Sequence, residues 1–496
     1  MVALRLKDTQ DIESLPEHKD SRLLPTPFSW GAVSIHRIIS NECRLDASAY
    51  NMDVINAFKK VNNNPYGFCY LWHKEGLVQT AYYPGRYKRI YTESTNGIPF
   101  YLPSQLDEIY PKPTKYISNK TASLLKDDFI KDNTLLLSRS GTIGKCAISS
   151  KTIVNKLFSD DVIRISFKND YDLGYTYAFL NTKIGLTILQ SNNYGAVIDH
   201  IEPEHLRNIP IPNAPEEIRK RIHQLIVDSY DLRDRSNCNI DEAECMLYDE
   251  LHLPKLSEIE CRQYENGTGF NNFIIKASKL NERIDASYHL PIICEVLKLL
   301  PIYAKEVLRL GDKRLSKDIV LPGRFKRIYV KKEYGLPFVG GKQLNTLGLD
   351  DVKYLSKGML TEKFKYSSMI RTNDILISAR GTIGTCQLVP THWDGALISD
   401  NIIKIIHTDE SNIGYVFCFL QSEIGKTLMQ REISGSVVDV IEPQNLYNIP
   451  IPILKSNKIQ KEINDLVLEA NDLRYQAYLK EQEAISLMND LLDNKI

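Results

Sequence analysis

The stretch GTIGKC, Gly141–Cys146, carries two glycines and a lysine in the manner of a phosphate-cradling loop. A nucleotide-binding P-loop needs glycine, four residues, glycine, lysine and a serine or threonine, because backbone amides hold the phosphates while the hydroxyl holds magnesium. Here the glycines are too close together and Cys146 stands where the hydroxyl belongs. Farther along, GTIGTC, Gly381–Cys386, keeps the glycines and has threonine for the lysine. A loop that keeps its glycines and drops its lysine is not built around ATP. Other chemistries find no footing. An amino-methyltransferase needs an Asp/Asn-Pro-Pro-aromatic loop, and NNPYG at 63–67 lacks the second proline. No glycine-rich cofactor fingerprint, no Pro-Asp of a nuclease core, and no HExxH or GxSxG is present. The chain therefore reads as a binding protein, not an enzyme, and the recurrence of GTIG is the clue to follow.

Outward from that clue the chain is one unit written twice. NECRLDASAY (41–50) returns as NERIDASYH (281–289), and PGRYKRIYTESTNGIPFYLPSQL (84–106) as PGRFKRIYVKKEYGLPFVGGKQL (322–344). LLLSRSGTIG (135–144) is answered by ILISARGTIG (375–384), FSDDVIRI (158–165) by ISDNIIKI (398–405), and GAVIDHIEPEHLRNIPIP (195–212) by GSVVDVIEPQNLYNIPIP (435–452). Short periods mark solenoids, whereas a period of about 240 residues marks two whole domains of one fold.

The elements that position these motifs follow from periodicity. TLLLSRSG and VIRISF read as strands, and DLGYTYAFLNTKIGLTILQ and NIGYVFCFLQSEIGKTLMQ as helices with Leu180, Leu420, Ile184 and Ile424 inward. Each IPIP reads as an extended exit strand, since proline disfavours helix at the residue before it. After each exit the texture turns charged and helix-favouring. Ile218, Ile222, Leu225, Leu232, Ala243, Leu247 and Leu251 step at threes, fours and sevens, and Ile459, Ile463, Leu466, Leu473, Ala484, Met488 and Leu492 repeat the pattern. Both predict helices of about 38 residues, about 57 Å long at ~1.5 Å per residue. Two matching stripes are most simply buried against each other as a coiled coil, with a surface helix on each domain as the alternative. The expected fold is α+β, with a 1–35 extension, domains at 36–213 and 275–453, helices at 214–252 and 454–494, and a linker at 253–274.

Composition sets the bounds. The 496 residues are 43% apolar, ordinary for a folded protein. No run approaches the ~18 apolar residues of a membrane span, and the start, MVALRLKDTQDIE, lacks the apolar stretch of a signal peptide, so a cytoplasmic location is expected. Nine cysteines without a CxxC pair argue against a disulfide framework and a zinc site, leaving reduced, mostly buried thiols. Net charge is zero but sorted: +4 over 36–212 (21 basic, 17 acidic) and +5 over 275–452 (24 basic, 19 acidic), against −6 over 213–274 and −2 over 453–496. Two mildly basic bodies are joined to acidic connectors.

Taken together, these residues resemble the specificity subunits of type I restriction-modification systems. The markers are RLDASAY (44–50) and RIDASY (283–288), LLLSRSGTIG and ILISARGTIG, and the exits HLRNIPIP and NLYNIPIP leading into helices. The resemblance covers nearly the whole chain from about residue 30. One departure is that NAPEEIRKRI and ILKSNKIQKEI stand where the family often has a proline-rich segment with Glu-Gln. The resemblance implies two target-recognition domains, each followed by a spacer helix, the helices pairing antiparallel with pseudo-two-fold symmetry. It implies a non-catalytic subunit that reads a bipartite target in double-stranded DNA. It further implies two methyltransferase subunits and restriction/translocase subunits as partners, S-adenosylmethionine held by the methyltransferase, no cofactor or metal in this chain, and no membrane partner. A scaffold in a related phage-defence system is the alternative.

Within that frame the DNA-binding candidates are the basic turns Arg86, Tyr87, Lys88, Arg89 and Arg324, Phe325, Lys326, Arg327. Arginine can bond guanine bidentately, lysine can neutralise phosphate, and the aromatic can anchor the turn. The loop candidates are Ser138, Arg139, Ser140 and Thr142, with Ser378, Arg380 and Thr382; their hydroxyls can donate to phosphate, while Gly141, Gly144, Gly381 and Gly384 can supply positive φ. A tight turn that merely holds the fold is the competing reading of those glycines. SNNYGAV and REISGSV add Tyr194, Ser434 and Ser436, in surroundings that differ between the copies.

Overall fold

The computed structural model of the chain describes residues 33–40, 43, 51–191, 200–254, 273–280, 283–349, 352–408, 412–434 and 439–496. Residues 1–56 and 57–496 are two compact units. The first contains the short helix Ile35–Ser40, and the elements below lie in the second. RLDASAY falls outside the described residues.

The first body runs through β1 (Phe68–Tyr70), β2 (Val78–Tyr82), β3 (Tyr91–Thr92), β4 (Gly97–Tyr101), β5 (Lys115–Ser118), β6 (Thr134–Ser138), β7 (Cys146–Ile148), β8 (Leu157–Phe158), β9 (Val162–Phe167) and β10 (Pro210–Pro212). They form sheets in the orders β2-β9-β6-β7 and β3-β5-β4-β8, with a separate pair β1-β10. All neighbours are antiparallel except β4 and β8. The second body repeats this with β11 (Glu306–Arg309), β12 (Asp318–Val320), β13 (Tyr329–Val330), β14 (Gly335–Val339), β15 (Lys353–Ser356), β16 (Ile375–Ser378), β17 (Cys386–Leu388), β18 (Leu397–Ile398), β19 (Ile402–Ile406) and β20 (Pro450–Ile453). Its orders are β12-β19-β16-β17, β13-β15-β14-β18 and β11-β20, the same topology strand for strand.

The expected strands form because their faces are covered. Leu135, Leu136 and Leu137 are all inaccessible, which is why β6 is a continuous apolar run and does not alternate. Each IPIP is an exit strand, paired with β1 or β11 and held by a buried tyrosine: Tyr175 donates to the Pro212 carbonyl at 2.8 Å and Tyr415 to that of Pro452 at 2.6 Å. Each segment read as one helix is in fact two, Tyr171–Leu180 then Lys183–Ser191, and Ile413–Gln421 then Glu423–Arg431. The break comes at a hydroxyl that caps the second helix, Thr182 on the Gly185 amide (2.9 Å) and Ser422 on that of Gly425 (3.1 Å).

The two long helices span Glu216–Glu250 and Asn457–Leu492 and run antiparallel. Ascending residues of one meet descending residues of the other: Arg221 with Glu483, Ser229 with Ala477, Ser236 with Ala470. At the centre their contact is small and polar. Ser229 Oγ donates to the Ala477 carbonyl at 2.8 Å and Ser236 Oγ to that of Ala470 at 2.9 Å, an approach that only small residues permit. Beside them Glu481 accepts from Tyr177 (2.5 Å) and Arg233 (2.9 Å).

The two long helices pack against each other, as the periodicity suggested, and in addition their ends are covered by the bodies. Each helix starts on its own body and ends in the core of the other. Ile222 and Leu225 join the first body's core, whereas Ala243, Leu247 and Leu251 join the second's. Conversely Ile463 lies in the second core and Ala484, Met488 and Leu492 in the first. Gly174 and Gly414 let the short helices sit against the long ones: a Cβ there would come within 2.7 Å of His223 Cα and 2.5 Å of the Asn464 carbonyl. The cysteines among the described residues are free, but Cys43, Cys238, Cys245 and Cys294 are exposed, a correction to the expected burial. Cys238 and Cys245, seven apart on the first long helix, share its outer face.

The bodies also touch directly. Glu108 and Thr346 form an antiparallel bridge, and the Ile109 amide donates to the Asn345 carbonyl at 2.9 Å. Burial, opposed by hydrogen bonds to Gln105 and Asn345 and by Lys145 but reinforced by Asp107, pushes the Glu108 carboxyl up to about 7. A raised carboxyl pKa means that the folded state favours the neutral acid, so this contribution is greatest below the ordinary 4.5 and is lost as pH rises through 7. Glu108→Gln, neutral at every pH, is expected to raise the urea midpoint at pH 8 and to change it little at pH 4.5. Equal shifts at both pH values would show that the charge is not destabilising there.

Candidate nucleic-acid interface

In each body the basic turn crosses from one four-stranded sheet to the other, between β2 and β3 or between β12 and β13. Burial alternates along the first of these turns. Arg86 and Lys88 are exposed, Tyr87 and Arg89 half-buried. Tyr87 packs on the cluster of Phe100, Ile117 and Leu157, and burial pushes its phenol up to about 12. Its hydroxyl has no hydrogen-bond partner, which fits the phenylalanine at the matching position. Phe325 packs edge-on against Phe364 at 4.6 Å and Phe338 at 6.1 Å. These aromatics anchor the turns from inside.

Arg89 and Arg327 are likewise engaged within the protein. Arg89 pairs with Asp160 and lies over the Phe100 ring at 5.5 Å. Arg327 pairs with Asp400 at 2.5 Å and lies over Phe338 at 5.3 Å. Arg86, Lys88, Arg324 and Lys326 are exposed, and no hydrogen bond or ion pair holds them among the described residues. Each turn thus has two exposed cations that the fold does not hold, an aromatic anchor, and an arginine tied to an acid, half-buried Arg89 or exposed Arg327.

The glycine loops are built as turns. Gly141, Gly144, Gly381 and Gly384 have φ of +73°, +101°, +79° and +84°, where a side chain would be strained. A Cβ on Gly144 would also meet Leu186 Cδ1 at 2.5 Å. The serine hydroxyls are taken up locally. Ser138 Oγ donates to the Thr142 carbonyl at 2.6 Å and accepts from the Lys145 amide at 2.9 Å; Ser378 Oγ donates to the Arg380 carbonyl at 2.8 Å; Ser140 Oγ donates to Asp161 at 2.8 Å. Arg139 is buried, donating to the Ile201 carbonyl at 3.2 Å, paired with Glu202 and lying 4.0 Å over Tyr83, so it braces the loop and does not reach out. Half-buried Arg380 donates to Asn401 at 3.2 Å. Thr142 and Thr382 remain exposed at the tips.

Ser434 is exposed, its backbone paired in both directions with Val440. Tyr194 and Ser436 lie outside the described residues. The structure brings the basic turn and glycine loop together through the segment joining β8 to β9: Asp160 holds Arg89, and the Asp161 carbonyl accepts from the Arg139 amide at 3.0 Å. Asp400 and Asn401 hold the same places in the second body, Asn401's carbonyl accepting from the Ala379 amide at 2.8 Å.

Sequence reasoning missed an exposed ledge beside each turn. Lys115 Nζ sits 5.2 Å from the Tyr91 ring and Lys353 Nζ 4.8 Å from Tyr329, and Ile90 (44%) and Ile328 (47%) are as open as the two tyrosines. The signal was present: RIY stands unchanged at 89–91 and 327–329, and a lysine-tyrosine pair at 115–116 and 353–354. Each body thus offers three outward cations beside an aromatic, chemistry suited to phosphates flanking a groove. Among the described residues no cluster of His, Cys, Asp and Glu could hold a metal, and no helix is long and apolar enough to cross a membrane.

Residues 85–237 match the family described as the type I restriction modification DNA specificity domain. The chain is 23% identical over 414 residues to the type I restriction enzyme MjaVIII specificity subunit of Methanocaldococcus jannaschii, covering 79% of this chain and 87% of that one. Among solved structures it is similar to the type I restriction-modification S subunit from M. genitalium (14% identity, TM-score 0.33, covering 84% of this chain and 92% of that one). It is also similar to the HsdS subunit from Thermoanaerobacter tengcongensis (13% identity, TM-score 0.25, covering 85% and 98%).

Proposed function

As a chain that carries a type I restriction modification DNA specificity domain and resembles the specificity subunits of such systems, this protein, we propose, reads a bipartite DNA target and directs partner methyltransferase and restriction subunits to it. Each body, 36–213 and 275–453, contacts one half-site, and the helix pair holds the halves at a fixed gap. The subunit is non-catalytic. Two methyltransferase subunits, which carry S-adenosylmethionine, and the restriction/translocase subunits complete the cytoplasmic assembly.

The observation that carries this reading is the pairing of two topologically identical bodies across antiparallel helices, each with an exposed basic turn at the same place. Pseudo-two-fold symmetry suits a duplex whose strands run oppositely, because each body then meets its half-site in the same relative orientation. Arg86, Lys88 and Lys115 recur as Arg324, Lys326 and Lys353, and shared residues suit the shared phosphate backbone. Differing residues, around 192–199 and 435–438, suit differing bases. The test is to map modified adenines in the host genome with and without this chain. Loss of methylation at a single two-part motif is expected; an unchanged methylation pattern would refute the role.

A further inference from the structure

The bridge between Glu108 and Thr346 has an unusual place in the duplication. In the aligned stretches ending PSQL (103–106) and GKQL (341–344), Gln105 matches Gln343, so Glu108 matches Thr346 and Ile109 matches Leu347. Each residue of the bridge therefore faces its own counterpart. A contact between counterparts lies on the pseudo-two-fold axis, where symmetric displacements of the two bodies add. It is the point that a splaying motion must break first.

The segments that meet there are tied to the helix pair on both sides. The Ile109 carbonyl accepts from Asn237 Nδ2 at 3.1 Å, and Tyr110 donates to Asp241 at 2.5 Å. Opposite, the Leu347 carbonyl bonds His392 Nε2 at 2.6 Å and accepts from Trp393 Nε1 at 3.2 Å, while the His392 ring stacks on Tyr478 at 4.0 Å. Ile109, Leu347 and Ala477 close the contact as a small apolar cluster flanked by Leu232 and Tyr478. Long helices bend gently, and the serine-to-carbonyl bonds and the Arg233–Glu481 pair that join these two lie close to their axes, where they have little leverage against a hinge. The seam adds a brace outside the helix axes.

We infer that this seam, together with the helix pair, fixes the gap between the two half-sites, so that Glu108, Ile109, Thr346 and Leu347 are positioning residues for spacer length and not for base preference. The inference rests on the bipartite reading given above. Residues directly opposite in an antiparallel bridge have neighbouring side chains, and like charges there repel. Their Cα atoms lie about 4.5–5.5 Å apart, within disulfide reach.

The experiment uses the full chain assembled with its methyltransferase partner and a DNA library in which the spacer length between the selected half-sites varies. The wild-type complex must first select one gapped site; selection of no gapped site would reject the bipartite reading itself. Thr346→Glu, read at pH 9 so that both carboxyls are ionised, sets a second carboxylate against Glu108 and is expected to enrich spacers one base pair longer and shorter to within about threefold of the original, with both half-site sequences unchanged. The exchange Glu108→Thr with Thr346→Glu restores one carboxylate and the single spacing. Glu108→Cys with Thr346→Cys, its crosslink confirmed by peptide mapping because other cysteines are exposed, keeps the original spacing and affinity when oxidised. If Thr346→Glu selects the original spacing as strictly as wild type, or if the crosslinked protein loses binding because the bodies must part on DNA, the seam does not set the gap.

Discussion

Inserting seven residues into each long helix, at the crossing near Ser236 and Ala470, is expected to move the half-sites apart by about three base pairs. A heptad keeps the apolar stripe in phase and adds about 10 Å at ~1.5 Å per residue, and a base pair spans ~3.4 Å. Both half-site sequences stay the same because neither body changes. The cost is twofold. Three base pairs turn the duplex by nearly a third of a turn, at about 10.5 per turn, so one body faces away from its groove. The bond from the Ile109 amide to the Asn345 carbonyl, 2.9 Å long, cannot survive a 10 Å separation. Spacer selection reads the outcome: longer spacing with reduced affinity is expected, and enrichment of the original spacing at full strength would show that the helices do not set the gap. Adding Thr346→Glu to the insertion variant should change little further, since its seam is already open.

Replacing Arg86, Lys88, Arg324 and Lys326 together with alanine is expected to weaken DNA binding on the order of a thousandfold near 0.1 M salt. Each phosphate contact contributes about 0.9 to the slope of log affinity against log salt, so four contacts remove about 3.6 from that slope. The four side chains are exposed and hold nothing in the fold, so the thermal midpoint should stay within about a degree or two. Arg327→Ala is expected to behave differently. It leaves Asp400 half-sheltered without its cation and lowers stability, with a smaller change in salt dependence. Binding measured over a salt series, with melting measured on the same proteins, separates the two classes. An unchanged slope in the quadruple variant would mean that the duplex meets another face.

The repeat, the sheet-bearing bodies and both long helices were legible because duplicated motifs and a sustained 3.6-residue period survive without a structure. That the two helices pack together was legible too, but which cores cover their ends was not. A stripe such as Ala243, Leu247 and Leu251 states that one side of a helix is buried and is silent on whether a helix or a distant core buries it. The candidate site divided along the same line. That the turns are basic and recur was plain in RYKR and RFKR, but which two cations the fold engages depends on acids 71 and 73 residues farther on, Asp160 and Asp400. The pairing of Arg139 was hidden for the same reason, its acid being Glu202. Nothing in DEIY or NTLG marks the body-to-body contact, which is a few residues of irregular backbone without periodicity.

The exchange of helix ends sets an order on folding. Leu491, whose carbonyl accepts from Asn64 at 2.9 Å, is 427 residues away from it in the chain. Ala484, Met488, Leu491 and Leu492 complete the core of the first body, so that part of its core closes only after the second long helix has been made. Such distant closure is slow, because the intervening chain must be restrained before the contact rewards it. Once closed, neither body can melt without withdrawing a helix from the other. The molecule should therefore unfold as one cooperative block, with no stage at which half of it stands alone.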